Sequence, residues 1–135
     1  MTQDFSHTGI VDIVDAERLN ALNTVGTISY VLHLLVALGA LIPGGQFGPV
    51  LLIAALILDM VKRDNAHGTW HASHFAWRIR TVVIAALLYL LTAPLWFLFI
   101  FPGWLAWVLI SVWFLFRIVT GFVRMNKGLP MEISV

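Results

Sequence analysis

The sequence predicts an all-α integral membrane protein: a four-helix bundle made of two transmembrane helical hairpins, with an interfacial amphipathic segment before the third helix. Three observations carry this prediction. First, hydrophobic residues make up 60% of the 135 residues and charged residues only 11%, with a mean hydropathy of +0.91. An average soluble domain is about 45–50% apolar and about 25% charged. A soluble fold of this size has no interior large enough to hide the excess. Second, residues 19–58 and 81–116 contain no Asp, Glu, Lys or Arg. Third, each of these stretches is broken near its middle by proline and glycine. A bilayer core of about 30 Å takes roughly 20 helical residues. As one helix, residues 81–116 would run about 54 Å, too long for one crossing and right for two.

Taken in order, residues 1–24 form a cytoplasmic N-terminal arm. Asp4, Asp12, Asp15 and Glu17 and the lack of a basic flank do not fit a signal peptide. A short surface-lying helix over 12–23 is compatible with Val14, Leu19 and Leu22. The transmembrane domain covers 25–123, with spans at about 25–42, 47–62, 80–100 and 104–123. The first hairpin turns at Pro43-Gly44-Gly45-Gln46-Phe47-Gly48-Pro49 and the second at Phe101-Pro102-Gly103-Trp104, where proline removes a donor and glycine favours turns. Residues 124–135 form a cytoplasmic tail. Lys62, Arg63, Arg78, Arg80, Arg124 and Lys127 flank the spans, while both hairpin tips are uncharged. The positive-inside rule then puts the loop 63–79 and both termini in the cytoplasm. Trp96, Trp104 and Trp107 near the outer tip, and Trp70 and Trp77 near the inner face, match aromatic belts.

In the central loop, Asp64-Asn65-Ala66-His67-Gly68 reads as a turn, and Thr69 as the N-cap of a helix continuing into the third span. His67, His71 and His74 stand at i, i+4 and i+7 and, with Arg78 and Arg80, form an expected interfacial cluster. No metal is expected. His71 and His74 are the weak candidates, since Gly68 separates His67 from the helix and zinc needs a third or fourth ligand. No cofactor is expected either. Haem would need a second deeply buried histidine beside His33. There is no cysteine.

Counting from the span ends places Tyr30, His33, Asp59 and Arg117 at similar depth, roughly 8–12 Å from the inner face. An intramembrane charge is costly and normally faces the bundle interior, paired. The expected pair is Asp59–Arg117, with His33 or Tyr30 completing its hydrogen bonds. Close helix contact is expected at Gly39, Ala40, Ala54, Ala55, Ala85 and Ala86, and hydrogen bonds at Ser29, Thr92 and Ser111.

The net charge of +1 does not suit nucleic-acid binding by bulk charge. No phosphate-binding glycine loop, nucleophile elbow or zinc-protease motif is present, so no enzyme activity is expected. The partners expected are the lipid bilayer and either a membrane protein or further copies of the chain. The favoured role is an accessory or scaffold subunit. The alternatives are an oligomeric transporter or channel using the Asp59/Arg117/His33 layer, and a metal- or haem-binding membrane protein.

Several stretches carry a resemblance: Tyr30-Val-Leu-His33, Asp59-x-x-Lys62-Arg63-Asp64, the run from Gly68 to Thr81, Phe116-Arg117-Ile-Val-x-Gly121, and Arg124-x-Asn126-x-Gly128-x-Pro130-Met131. Over roughly residues 25–131 the chain resembles a family of small four-span proteobacterial membrane proteins. That family is itself distantly similar to the four-span subunit of the chloroplast inner-envelope protein-import translocon. The resemblance implies a four-helix protein of the bacterial inner membrane and assigns no reaction, substrate or cofactor. It draws attention to His33, Asp59, Ser73, His74, Arg78, Arg80 and Arg117.

Overall fold

The computed structural model describes residues 4–41, 48–98 and 100–132. Among them the chain is all-helical, with no strand. Four α-helices follow in order: α1 (Asp4–Ala40), α2 (Gly48–Lys62), α3 (His71–Leu98) and α4 (Ile100–Asn126), with a 3-10 turn (Arg63–Ala66) between α2 and α3. The first-hairpin turn residues Pro43 to Phe47 and the side chain of Trp96 lie outside the described residues.

Three helices are long and apolar enough to cross a membrane, over Ile13–Ala40, His71–Leu95 and Gly103–Asn126. The expected second span corresponds to α2, whose 15 described residues make about 22 Å of helix and are not among these three; residues 42–47 before it lie outside the described residues.

α1 runs without a break from Asp4, so residues 4–24 prolong the first span instead of forming a separate surface helix. Arg18 fixes its level. Its guanidinium donates to the Asn65 carbonyl (Nε 3.1 Å, Nη2 2.8 Å) and to that of His67 (2.9 Å), which ties α1 to the central loop.

α3 starts at His71 and carries Pro94 inside it, near its C-terminal end. α3 ends at Leu98 and α4 begins at Ile100, and residue 99 between them lies outside the described residues. The expected turn residues Phe101, Pro102, Gly103 and Trp104 lie within α4, where Pro102, as the third residue, has no intrahelical N–H partner to lose. Pro49 sits likewise in the first turn of α2. Thr69 does not cap α3 through its side chain. Its hydroxyl donates back to the Ala66 carbonyl (2.7 Å), while its own carbonyl accepts from Ala72 N–H (3.1 Å). Gly68, at φ +80°, makes the chain reversal that a side chain would strain.

α4 ends in a Schellman motif: Gly128 (φ +66°) donates to Met125 O and Leu129 to Arg124 O. This turn sends the tail back across the start of α3. Met131 N–H then donates to Ser73 Oγ (2.9 Å), and the Met131 side chain is buried.

α1 packs on α2 and α4, and α3 packs on α4 and α2. The core collects Tyr30, Val36, Ala37, Val82, Ala85, Phe114, Ile118 and Met125. The tightest approaches join α1 to α4. A Cβ on Gly26 would meet Met125 Sδ at 2.8 Å, and one on Gly121 would meet Tyr30 Cε1 at 2.8 Å. Gly39, an expected contact, has nothing within 4 Å of such an atom, whereas Ala55 and Ala85 are buried as expected. Outward faces are apolar: Val31, Leu35 and Leu38 on α1, Ile53 and Ile57 on α2, Leu87, Leu90 and Leu91 on α3, and Leu109, Val112 and Phe116 on α4. Ser29, His33, Asp59, His74, Arg78 and Thr81 are buried. Polar groups inside and large apolar ones outside invert the soluble pattern and suit a lipid surround.

Candidate functional site

α2 carries Asp59 one turn before its end, and α3 carries Arg78 two turns after its start. Both side chains are fully buried and they pair with each other. Arg78 Nε lies 3.1 Å and 2.9 Å from the two carboxylate oxygens, and Nη2 donates to Oδ1 at 2.8 Å. Ser29 Oγ on α1 donates to the same Oδ1 at 2.7 Å. One carboxylate thus joins three helices. The guanidinium carbon lies 4.5 Å from the Tyr30 ring centroid and 4.6 Å from that of Phe75, within cation–π range.

The expected Asp59–Arg117 pair is therefore corrected to Asp59–Arg78. Arg117 lies one position off the inward stripe of α4, in which Phe114, Ile118, Gly121 and Met125 are buried. Its Nε donates to Thr81 Oγ1 (2.9 Å), and its guanidinium lies over Trp77 at 3.7 Å and near Trp113 at 5.2 Å. Trp77 Nε1 donates in return to the Arg117 carbonyl (3.1 Å). Arg78, expected at the interface, is instead the core cation. Arg80 is exposed and, among the described residues, makes no hydrogen bond or ion pair.

Tyr30 and His33 both reach the buried layer. Tyr30 Oη meets His74 Nδ1 at 2.8 Å, and His74 Nε2 meets the Leu129 carbonyl at 2.8 Å. A carbonyl only accepts, so Nε2 carries a proton, and in the neutral ring Nδ1 accepts from Tyr30. By the same reasoning His33 Nδ1 donates to the Ser29 carbonyl (2.8 Å). Its Nε2 is buried without a partner, as is Nη1 of Arg78. Buried polar atoms without partners are rare and costly, and both of these flank the carboxylate layer.

The three loop histidines do not form one face. His67 lies beyond the 3-10 turn, exposed, 3.7 Å from Asp64. His71 stacks on Trp70, with ring centroids 3.8 Å apart. His74 has both ring nitrogens engaged. Among the described residues no three His, Asp or Glu side chains converge on a point where a metal ion would sit. Of the expected hydrogen bonders, Ser29 reaches Asp59, Ser111 meets Tyr89 Oη (2.7 Å), and Thr92 bonds back to Leu88 O (2.8 Å).

Sequence reasoning gave no structural role to Arg18, Gly26, Gly121 or the tail residues Leu129 and Met131. Arg78 was within reach of a signal: His71, His74, Phe75, Arg78, Val82 and Ala85 recur at helical spacing, and all are buried. No family model, curated protein or solved structure matches this chain.

Proposed function

We propose that the chain is a small integral protein of the bacterial inner membrane serving as an accessory or scaffold subunit of a larger membrane complex. The observation that supports this reading is the closed Ser29–Asp59–Arg78 knot. Its charges bond to one another across three helices, as a lock on helix register does, rather than lining an open cleft. Two described clefts lie around Arg18 and a third around Arg63 and His67; Ser29, Asp59 and Arg78 line none of these three, and Phe75, which packs on Arg78, forms part of the wall of the third. In this reading α1 with α2 and α3 with α4 form two hairpins, and α2 is a shortened fourth span. The central loop and both termini face the cytoplasm, and no reaction is catalysed. The resemblance to the proteobacterial four-span family agrees with this placement.

Native mass spectrometry of gently extracted, tagged protein tests it. A defined second protein at fixed stoichiometry supports the role; the chain alone, at every extraction condition, refutes it. A second reading, an oligomeric transporter or channel, is favoured by the unpartnered His33 Nε2 and Arg78 Nη1 beside the carboxylate. It requires flux in reconstituted vesicles that Asp59→Asn abolishes; unchanged flux removes it.

A further inference from the structure

We propose that Arg117 and Arg80 form a binding site for a phosphate group, the phosphodiester of an anionic phospholipid headgroup. Arg117 is half-buried on α4 and held in one orientation. Its Nε is committed to Thr81 Oγ1 at 2.9 Å, and its plane is packed on Trp77 at 3.7 Å. The Thr81 hydroxyl donates its own proton to the Trp77 carbonyl (2.7 Å), so its oxygen is left as the acceptor for Arg117. Nε is thereby fixed, and the two terminal nitrogens make no hydrogen bond among the described residues. A guanidinium fork fixed at one end is suited to bidentate recognition of a phosphate.

Arg80 supplies the second cation. It stands on α3, exposed and next in sequence to Thr81, whose hydroxyl holds Arg117 Nε. No acidic side chain forms an ion pair with either arginine among the described residues. This contrasts with Arg78, one turn earlier than Thr81, whose charge is cancelled by Asp59. Two neighbouring cations of like sign with no counter-charge repel each other, and an anion between them removes that cost. Trp77 and Trp113 beside them have the amphipathic character of residues at headgroup level. A phospholipid places its phosphate at that level with its acyl chains along apolar helix faces, here the one bearing exposed Phe116 and Val112.

The test uses the full chain in lipid nanodiscs and in detergent. Bound lipid is counted by native mass spectrometry with phosphatidylglycerol, phosphatidylcholine or 10 mM inorganic phosphate (about this concentration, to exceed a weak site) as probes. The wild type is expected to retain one phosphatidylglycerol in preference to phosphatidylcholine. Arg80→Gln, at an exposed position that leaves the fold intact, is expected to weaken retention about fivefold, as one interfacial charge does. Arg117→Lys keeps the charge but loses the fork and is expected to weaken it further. Displacement of the lipid by inorganic phosphate keeps the site and assigns its source to soluble phosphate. Equal retention by wild type, Arg80→Gln and Arg117→Lys, or no retention of either probe by wild type, overturns the proposal. Arg80→Gln decides it even where Arg117→Lys fails to fold.

Discussion

Replacing Asp59 by asparagine isolates the charge in the knot while nearly conserving its shape. The Arg78 guanidinium, fully buried, then loses its counter-ion. Its remaining neighbours are the Tyr30 and Phe75 rings at 4.5 and 4.6 Å, and a desolvated cation–π contact returns about 2 kcal/mol at best. Breaking a buried ion pair from one side costs about 3–5 kcal/mol, a large share of a membrane helix bundle's stability. Denaturation by sodium dodecyl sulfate, followed by tryptophan fluorescence and circular dichroism, reads this cost, because separated helices let a charged side chain reach water. Asp59→Leu with Arg78→Met removes both charges at similar volume and is expected to recover to within about 1–2 kcal/mol of wild type. The reasoning is refuted if Asp59→Asn stays within about 1 kcal/mol of wild type, or if the double variant loses the sum of its two single changes.

Arg117→Lys is expected to cost less than Asp59→Asn, about 1–2 kcal/mol, since it gives up stacking on Trp77 and one hydrogen bond to Thr81; the same denaturation assay ranks the two, and the reverse order would return Asp59's partnership to Arg117. Gly121→Ala is expected to cost about 1–3 kcal/mol, because the added carbon meets the Tyr30 ring at 2.8 and 2.9 Å and displaces its hydroxyl from His74. Gly26→Ala meets only the flexible end of Met125 and should cost less than about 1 kcal/mol; thermal melting in detergent separates them. Truncation after Gly128 removes the Leu129 carbonyl and the Met131 N–H that bind His74 and Ser73, and hydrogen exchange should accelerate at the start of α3 and, through loss of the Leu129–Arg124 cap bond, in the last turn of α4, while the rest of α4 is unchanged.

The helices were legible because lipid disfavours charges along a span, so charge-free stretches mark where long apolar helices run, although the second expected turn, at Pro102, lies inside α4. The burial of Tyr30, His33 and Asp59 was legible for the same reason: they stand out against apolar neighbours, and all three are buried. The partner of Asp59 was not. Depth counted from an assumed span start at residue 80 left Arg78 outside the membrane, whereas α3 begins at His71 and carries Arg78 two turns into the bundle. Depth alone also cannot tell which way a residue faces. Arg117 has a suitable depth, but one residue turns a helix by about 100°, enough to take its side chain from the core to the tryptophan-lined groove. The close contacts at Gly26 and Gly121 depend on where α1 crosses α4, a property of the packed bundle and of no single stretch of sequence.

The described polar contacts between elements are unevenly placed, and that has a consequence for dynamics. Arg18 with the loop carbonyls, the Ser29–Asp59–Arg78 knot, the Tyr30–His74–Leu129 chain, and the Arg117–Thr81–Trp77 clamp all lie in the half of the bundle that bears the central loop. Toward the other end, the described polar contacts between helices gather at one place between α3 and α4, where Tyr89 meets Ser111 and Trp107. Helices in lipid gain little from apolar burial against one another, so packing and polar contacts set how long they stay together. The loop half should therefore open only with the whole bundle, and the far half should open locally at lower free energy. Hydrogen exchange in nanodiscs is expected to protect amides near Ser29, Asp59 and Arg78 most strongly and those near Leu90 and Leu109 markedly less. Uniform protection along α3 would mean that lipid and apolar packing hold the helices as firmly as the knot does, and the role assigned to the buried charges would fall with it.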